Sequence, residues 1–170
     1  MSAAAVLPAM RRRAESIEKG RNSVIRECAV AALLLANAIS DVMAREILLF
    51  PTGAFLVGGL AAKMLYAWWK QTTIPTSFFL CLLPGIVLLI IAWVTRGKIG
   101  AGDGLLFLTM GVWLSWREIV LLLTLSFFLA GAAAGILLFR KHSGKETFPF
   151  VPFILAAWIL TEAALLGGLF

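Results

Sequence analysis

The feature that most constrains this chain is the exclusion of charge from long stretches of it. From residue 28 onward, apolar runs follow one another, broken only by short charged links. Hydrocarbon offers no partner to a backbone N–H or C=O, so such runs must close their hydrogen bonds within themselves, as helices. A bilayer span takes roughly 20 residues, and the runs read as six spans: one beginning at residue 28, then 47–69, 77–94, one ending at 116, 119–139 and 150–170. The fold class is therefore all-α integral membrane, with six transmembrane helices in a single bundle. Composition agrees, with 61% hydrophobic and 14% charged residues and a mean hydropathy of +0.96. Short links predict that sequential helices pack as antiparallel neighbours, and Pro84-Gly85 predicts a kink in the third.

The net charge of +6 falls between the apolar runs, which marks loops at the lipid headgroups rather than a nucleic-acid surface. Residues 1–27 form a separate basic segment, with Arg11, Arg12, Arg13, Lys19, Arg21 and Arg26 against Glu15, Glu18 and Glu27. It reads as an interfacial helix or a disordered tail preceding a transmembrane domain over 28–170. Residues 28–39 look like a signal-peptide core, and Ala36-Asn37-Ala38 imitates a cleavage site. The long basic region and the spans that follow favour an uncleaved first span. Cys28 and Cys81 stand alone in apolar runs and His142 is the single histidine, so no metal or cofactor is expected.

Two acids lie where hydrocarbon should be. The first and fourth runs, 28–40 and 104–116, are each too short to span. Each must take in the aspartate at its edge, Asp41 or Asp103, and an ionisable group at that depth is a candidate functional group. The plainer alternative makes Asp103 a helix N-cap, a role that suits aspartate. Asp41 closes the first span and Asp103 opens the fourth, with two crossings between them, so both belong to one membrane face. Loops on that face carry Arg45, Arg96, Lys98, Arg140, Lys141 and Lys145, against Lys70 and Arg117 opposite. The loops place the aspartates in the cytoplasm; the basic segment, on the other side, opposes that count.

Two carboxylates held close together do not both ionise, so one acts as acid and the other as base. Such a pair can activate water against a peptide carbonyl and protonate the leaving nitrogen without a metal. The pair titrates as a unit. A serine-nucleophile signature and HExxH are both missing from the sequence. A reading from another class is a small proton-coupled transporter or a non-catalytic membrane assembly component, since intramembrane acids also serve proton relays.

Three segments carry a resemblance. Gly100-Ala101-Gly102-Asp103, with the apolar helix after it, resembles the GxGD segment of the bacterial type IV prepilin peptidases. Asp41 with Arg45 and Ile47 is similar to that family's first aspartate motif, and Pro149-Phe150-Val151-Pro152-Phe153 to the signature opening its last helix. The resemblance implies a membrane-embedded aspartic endopeptidase of the bacterial inner membrane, cleaving the basic leader of prepilins or pseudopilins at the cytoplasmic face in pilus or secretion systems. It makes Asp41 and Asp103 the catalytic pair, with Gly100 and Gly102 shaping the substrate's approach. The chain departs from the pattern at Leu105, where the family usually has lysine, and at Ile47-Leu48-Leu49, where it often has Ile-Pro-Asn. Larger members add a methyltransferase region with paired cysteines, which this chain does not accommodate, so cleavage without N-methylation is expected.

Other residues read as structural. Lys63 and Glu162 could pair between helices, or Lys63 could reach the headgroups. Arg45, Arg96 and Lys98 read first as interfacial anchors, and Trp68, Trp69, Trp113 and Trp116 as aromatic belts. The Gly131–Gly135 stretch, GAAAG, suits close packing, including between copies in a homo-oligomer.

Overall fold

The computed structural model describes residues 3–96, 100–139 and 149–166. Lys98, Arg140, Lys141, His142 and Lys145 lie outside them, as do the last residues of the sixth expected span. Six helices follow in order: α1 (Ala3–Ala44), α2 (Leu49–Lys70), α3 (Thr76–Val94), α4 (Ala101–Trp113), α5 (Trp116–Phe139) and α6 (Val151–Leu166). Four segments are long and apolar enough to cross a membrane: Ser23–Ala44 of α1, α2, α3 and Trp116–Ile136 of α5. The protein is an all-α, multi-pass membrane bundle.

The chain forms two compact units, Met1–Ala32 and Leu33–Phe170. The first is the helical basic segment, in which Ser23 Oγ donates to Glu27 Oε1 at 2.6 Å and Arg26 lies 3.7 Å from the same carboxylate. The second holds the rest of α1 and the five other helices.

Within the second unit α4 is the central helix, packed on α3, α2 and α5. Leu106, Phe107, Met110 and Val112 are completely buried. The expectation that sequential helices are neighbours holds for α3 with α4 and for α5 with α6, but α2 packs chiefly on α4 rather than on α3. Small residues explain why. Gly85 of α3 lies against the Leu108 backbone, Gly111 against the Cys81 carbonyl, and Gly104 faces Leu89 with room for a Cβ only 2.9 Å from its backbone nitrogen. Reading 81, 85 and 89 against 111, 108 and 104, the two helices run antiparallel at backbone contact. On the other flank, Gly59 of α2 receives the Trp113 ring, which stacks on Phe55 at 4.5 Å and donates its indole N–H to the Phe55 carbonyl at 3.1 Å. Trp113 is thus a wedge between helices and not part of an aromatic belt, whereas Trp68 and Trp69 are exposed.

Helix α4 is shorter than expected. Its 13 residues reach about 20 Å, against about 30 Å of hydrocarbon. It stops at Trp113 because Ser115 and Glu118 form a capping box that starts α5: the Ser115 N–H donates to Glu118 Oε2 at 2.6 Å, and the Glu118 N–H to Ser115 Oγ at 3.5 Å. Lys63 places its ammonium 4.5 Å above the Phe78 ring, a cation–π contact. Gly131 and Gly135 face open space within the chain.

Candidate active site

Asp41 lies in the last turn of α1, inside the helix rather than at its end. The helix closes four residues later, where the Arg45 N–H donates to the Asp41 carbonyl at 3.0 Å and Arg45 takes a left-handed φ of 56°. This turn sends the chain back on itself through residues 45–48 into α2.

The Asp41 carboxylate has a fixed partner. Its Oδ2 accepts the backbone N–H of Val151 at 2.9 Å, and Val151 is the first residue of α6. The first N–H groups of any helix lack partners within it and suit an anion. Phe150 aims this one: its ring packs 5.4 Å from that of Phe127 in α5 and 6.5 Å from that of Phe107 in α4, wedging the entry to α6 in place. The Pro149–Phe153 segment therefore acts on the site through its backbone. The sequence marked the segment but not the bond.

Asp103 stands in the first turn of α4. The N-cap is Gly100, to whose carbonyl the Asp103 N–H donates at 3.2 Å, so the alternative role of Asp103 as the cap does not hold. Its carboxylate is half-buried and close enough to Asp41 for the two charges to repel. The structure thus brings together the two acids that parity assigned to one face.

The two glycines differ. Gly100 faces the Asp103 carboxylate, with Oδ2 3.1 Å from where its Cβ would stand. Gly102 faces Ile47, whose Cδ1 would lie 2.7 Å from a Cβ there. The isoleucine of the first aspartate motif thus seats on the second glycine of the other.

In the sequence Asn37 stands out only as part of a cleavage-site lookalike. It is completely buried one turn before Asp41. Its Nδ2 donates to the Leu33 carbonyl at 2.9 Å and to Thr52 Oγ1 at 3.2 Å, and its Oδ1 accepts the Leu48 N–H at 2.9 Å. Leu48 occupies the place of the proline in the resembling motif, and a proline has no N–H to give. The available signal was an amide within an otherwise apolar helical run. Beside Asp41, between the end of α1 and the start of α6, Ala38, Ile39, Val42, Met43 and Pro152 line an open, apolar groove of about 280 Å³. Among the described residues no cluster of His, Cys, Asp or Glu has the makings of a metal site.

A helical membrane protein with two interacting carboxylates, one held by a helix N-terminus and the other flanked by glycines, has the parts of a membrane-embedded acid–base site. The sequence model of the type IV leader peptidase family matches residues 28–136. The chain belongs to that family, and it is a peptidase of the leader-peptidase kind. No curated protein and no solved structure matches it significantly.

Proposed function

We propose that this protein is an aspartic endopeptidase of the bacterial inner membrane that removes the basic leader from prepilin- or pseudopilin-like substrates at the cytoplasmic face, without N-methylation. The observation that carries the reading is the seating of Ile47, on the loop after Asp41, against Gly102, the residue before Asp103, which sets the two carboxylates at one end of the bundle. One carboxylate of the pair takes a proton from water as the water oxygen attacks the scissile carbonyl carbon. The other, protonated, delivers its proton to the amide nitrogen as the C–N bond breaks.

Gly100 leaves room beside Asp103 for an extended substrate backbone, and Gly102 shapes the same approach through its contact with Ile47. The groove along Ala38, Val42 and Pro152 suits the apolar stem that follows a leader. Cytoplasmic placement is favoured by the basic loops on the aspartate side. The separate, apolar settings of Cys28 and Cys81 in α1 and α3 favour cleavage alone. Membrane lipid is the expected surrounding, and the open face at Gly131 and Gly135 suits a second copy of the chain.

The test is co-expression with a prepilin-like substrate, followed as a mobility shift in membranes. Processing by wild type but not by Asp41→Asn or Asp103→Asn supports the reading. Processing by the doubly substituted protein would sink it, and well-inserted wild type inactive on several leaders would favour a transporter or assembly role.

A further inference from the structure

The contact of Ile47 with Gly102 joins the two halves of the carboxylate site, yet Ile47 sits on a loop with no helical ladder of its own. What holds the loop is Asn37. Its Oδ1 takes the N–H of Leu48, the residue after Ile47, and its Nδ2 is anchored on Leu33 and Thr52. The Thr52 hydroxyl adds a long bond back to Oδ1 at 3.4 Å. A buried amide in an apolar helix is tolerated only when its hydrogen bonds are made; here one is spent on this loop, and those to Leu33 and Thr52 hold the amide in place for it.

The connections run in one direction. Asn37 and Asp41 share the last turns of α1 and move as one body. Asn37 fixes Leu48, and with it Ile47; Ile47 occupies the space over Gly102; Asp103 is the next residue along α4. The two carboxylates belong to different helices, and this chain of contacts spans the gap between them.

We infer that Asn37 is a positioning residue for the carboxylate pair, setting the separation of Asp41 and Asp103 by holding Ile47 on Gly102. As far as it concerns cleavage, the inference rests on the peptidase reading above. Its test therefore has one readout that needs no activity. Cleavage kinetics are measured for wild type, Asn37→Leu, Gly102→Ala, Ile47→Ala and the Ile47→Ala, Gly102→Ala double variant. In parallel, D41C/D103C protein in a C28S/C81S background is treated with dibromobimane, which fluoresces on joining two thiols, with and without Asn37→Leu.

Misplacing a reacting group by about 1 Å costs on the order of 100-fold, so Asn37→Leu and Gly102→Ala should lower kcat by about that factor with KM little changed. The double variant should recover at least about tenfold over Gly102→Ala, because removing the Ile47 side chain frees the space the new Cβ needs. Asn37→Leu should slow cross-linking several-fold. Wild-type cross-linking in Asn37→Leu overturns the inference, whatever happens to cleavage, and so does a double variant no better than Gly102→Ala. If wild type cleaves nothing while Asn37→Leu still slows cross-linking, the peptidase reading falls and the positioning role stands.

Discussion

At the scale of single residues, the site depends on one backbone donor that, among substitutions, only proline removes. Val151 lies at the first position of α6, where proline is tolerated because the N–H there has no helical partner. Val151→Pro therefore deletes the bond to Asp41 without removing a helical one. A hydrogen bond to a charged group contributes about 1.5–3 kcal/mol. Val151→Pro should thus lower kcat for leader cleavage by about tenfold or more, while Val151→Ala stays near wild type. Equal rates for the two variants would show that the donor is dispensable. Asp41→Asn and Asp103→Asn should each reduce cleavage by at least about 10²–10⁴-fold, the range of general acid–base catalysis, with helix content by circular dichroism unchanged.

At the scale of elements, the antiparallel pair of α3 and α4 is the scaffold that holds Asp103 in place. Gly85 and Gly111 each face backbone of the other helix, which does not yield as a side chain would. Overpacking at such positions costs about 1–3 kcal/mol or more. Gly85→Ala and Gly111→Ala should therefore lower the thermal midpoint in detergent clearly, by several degrees. Gly131→Ala and Gly135→Ala face open space and should fall within about 0.5 kcal/mol of wild type. A marked loss at Gly131 or Gly135 would instead show that this face packs on something in the membrane, a second copy being the first to examine by cross-linking.

At the scale of the whole molecule, the site is made from both ends of the chain and its middle. Asp41 comes from α1, its donor from α6, and Asp103 from α4. Catalysis by a pair that shares a proton requires exactly one to be present. The pH profile of kcat/KM should therefore be bell-shaped, falling on the acid side as the second proton binds and on the alkaline side as the last one leaves. A profile with a single limb, measured in proteoliposomes, would argue that only one carboxylate takes part. Chelators should leave the rate unchanged, because the chemistry assigned to the pair needs no metal.

Much of this was legible in one dimension, because hydrocarbon imposes a rule that sequence alone expresses. Apolar runs must be helices, their number follows from their length, and counting crossings places Asp41 and Asp103 on one face. Three segments together carried the resemblance, and the two that hold Asp41 and Asp103 lie within the residues the family's model matches. The sequence misjudged helix ends, since the capping box at Ser115 and Glu118 ends α4 early, and it misread Trp113, whose burial against Gly59 and Phe55 is a matter of helix order. Periodicity does not say that α2 packs on α4. Nor does it pair residues far apart in the chain: Val151 with Asp41, 110 positions away, Ile47 with Gly102, or Asn37 with Leu48. Local chemistry and the solvent determined which segments are helices and where acids stand in the membrane. Only the tertiary packing decided which backbone groups and side chains meet those acids, because such meetings depend on the order in which helices surround α4.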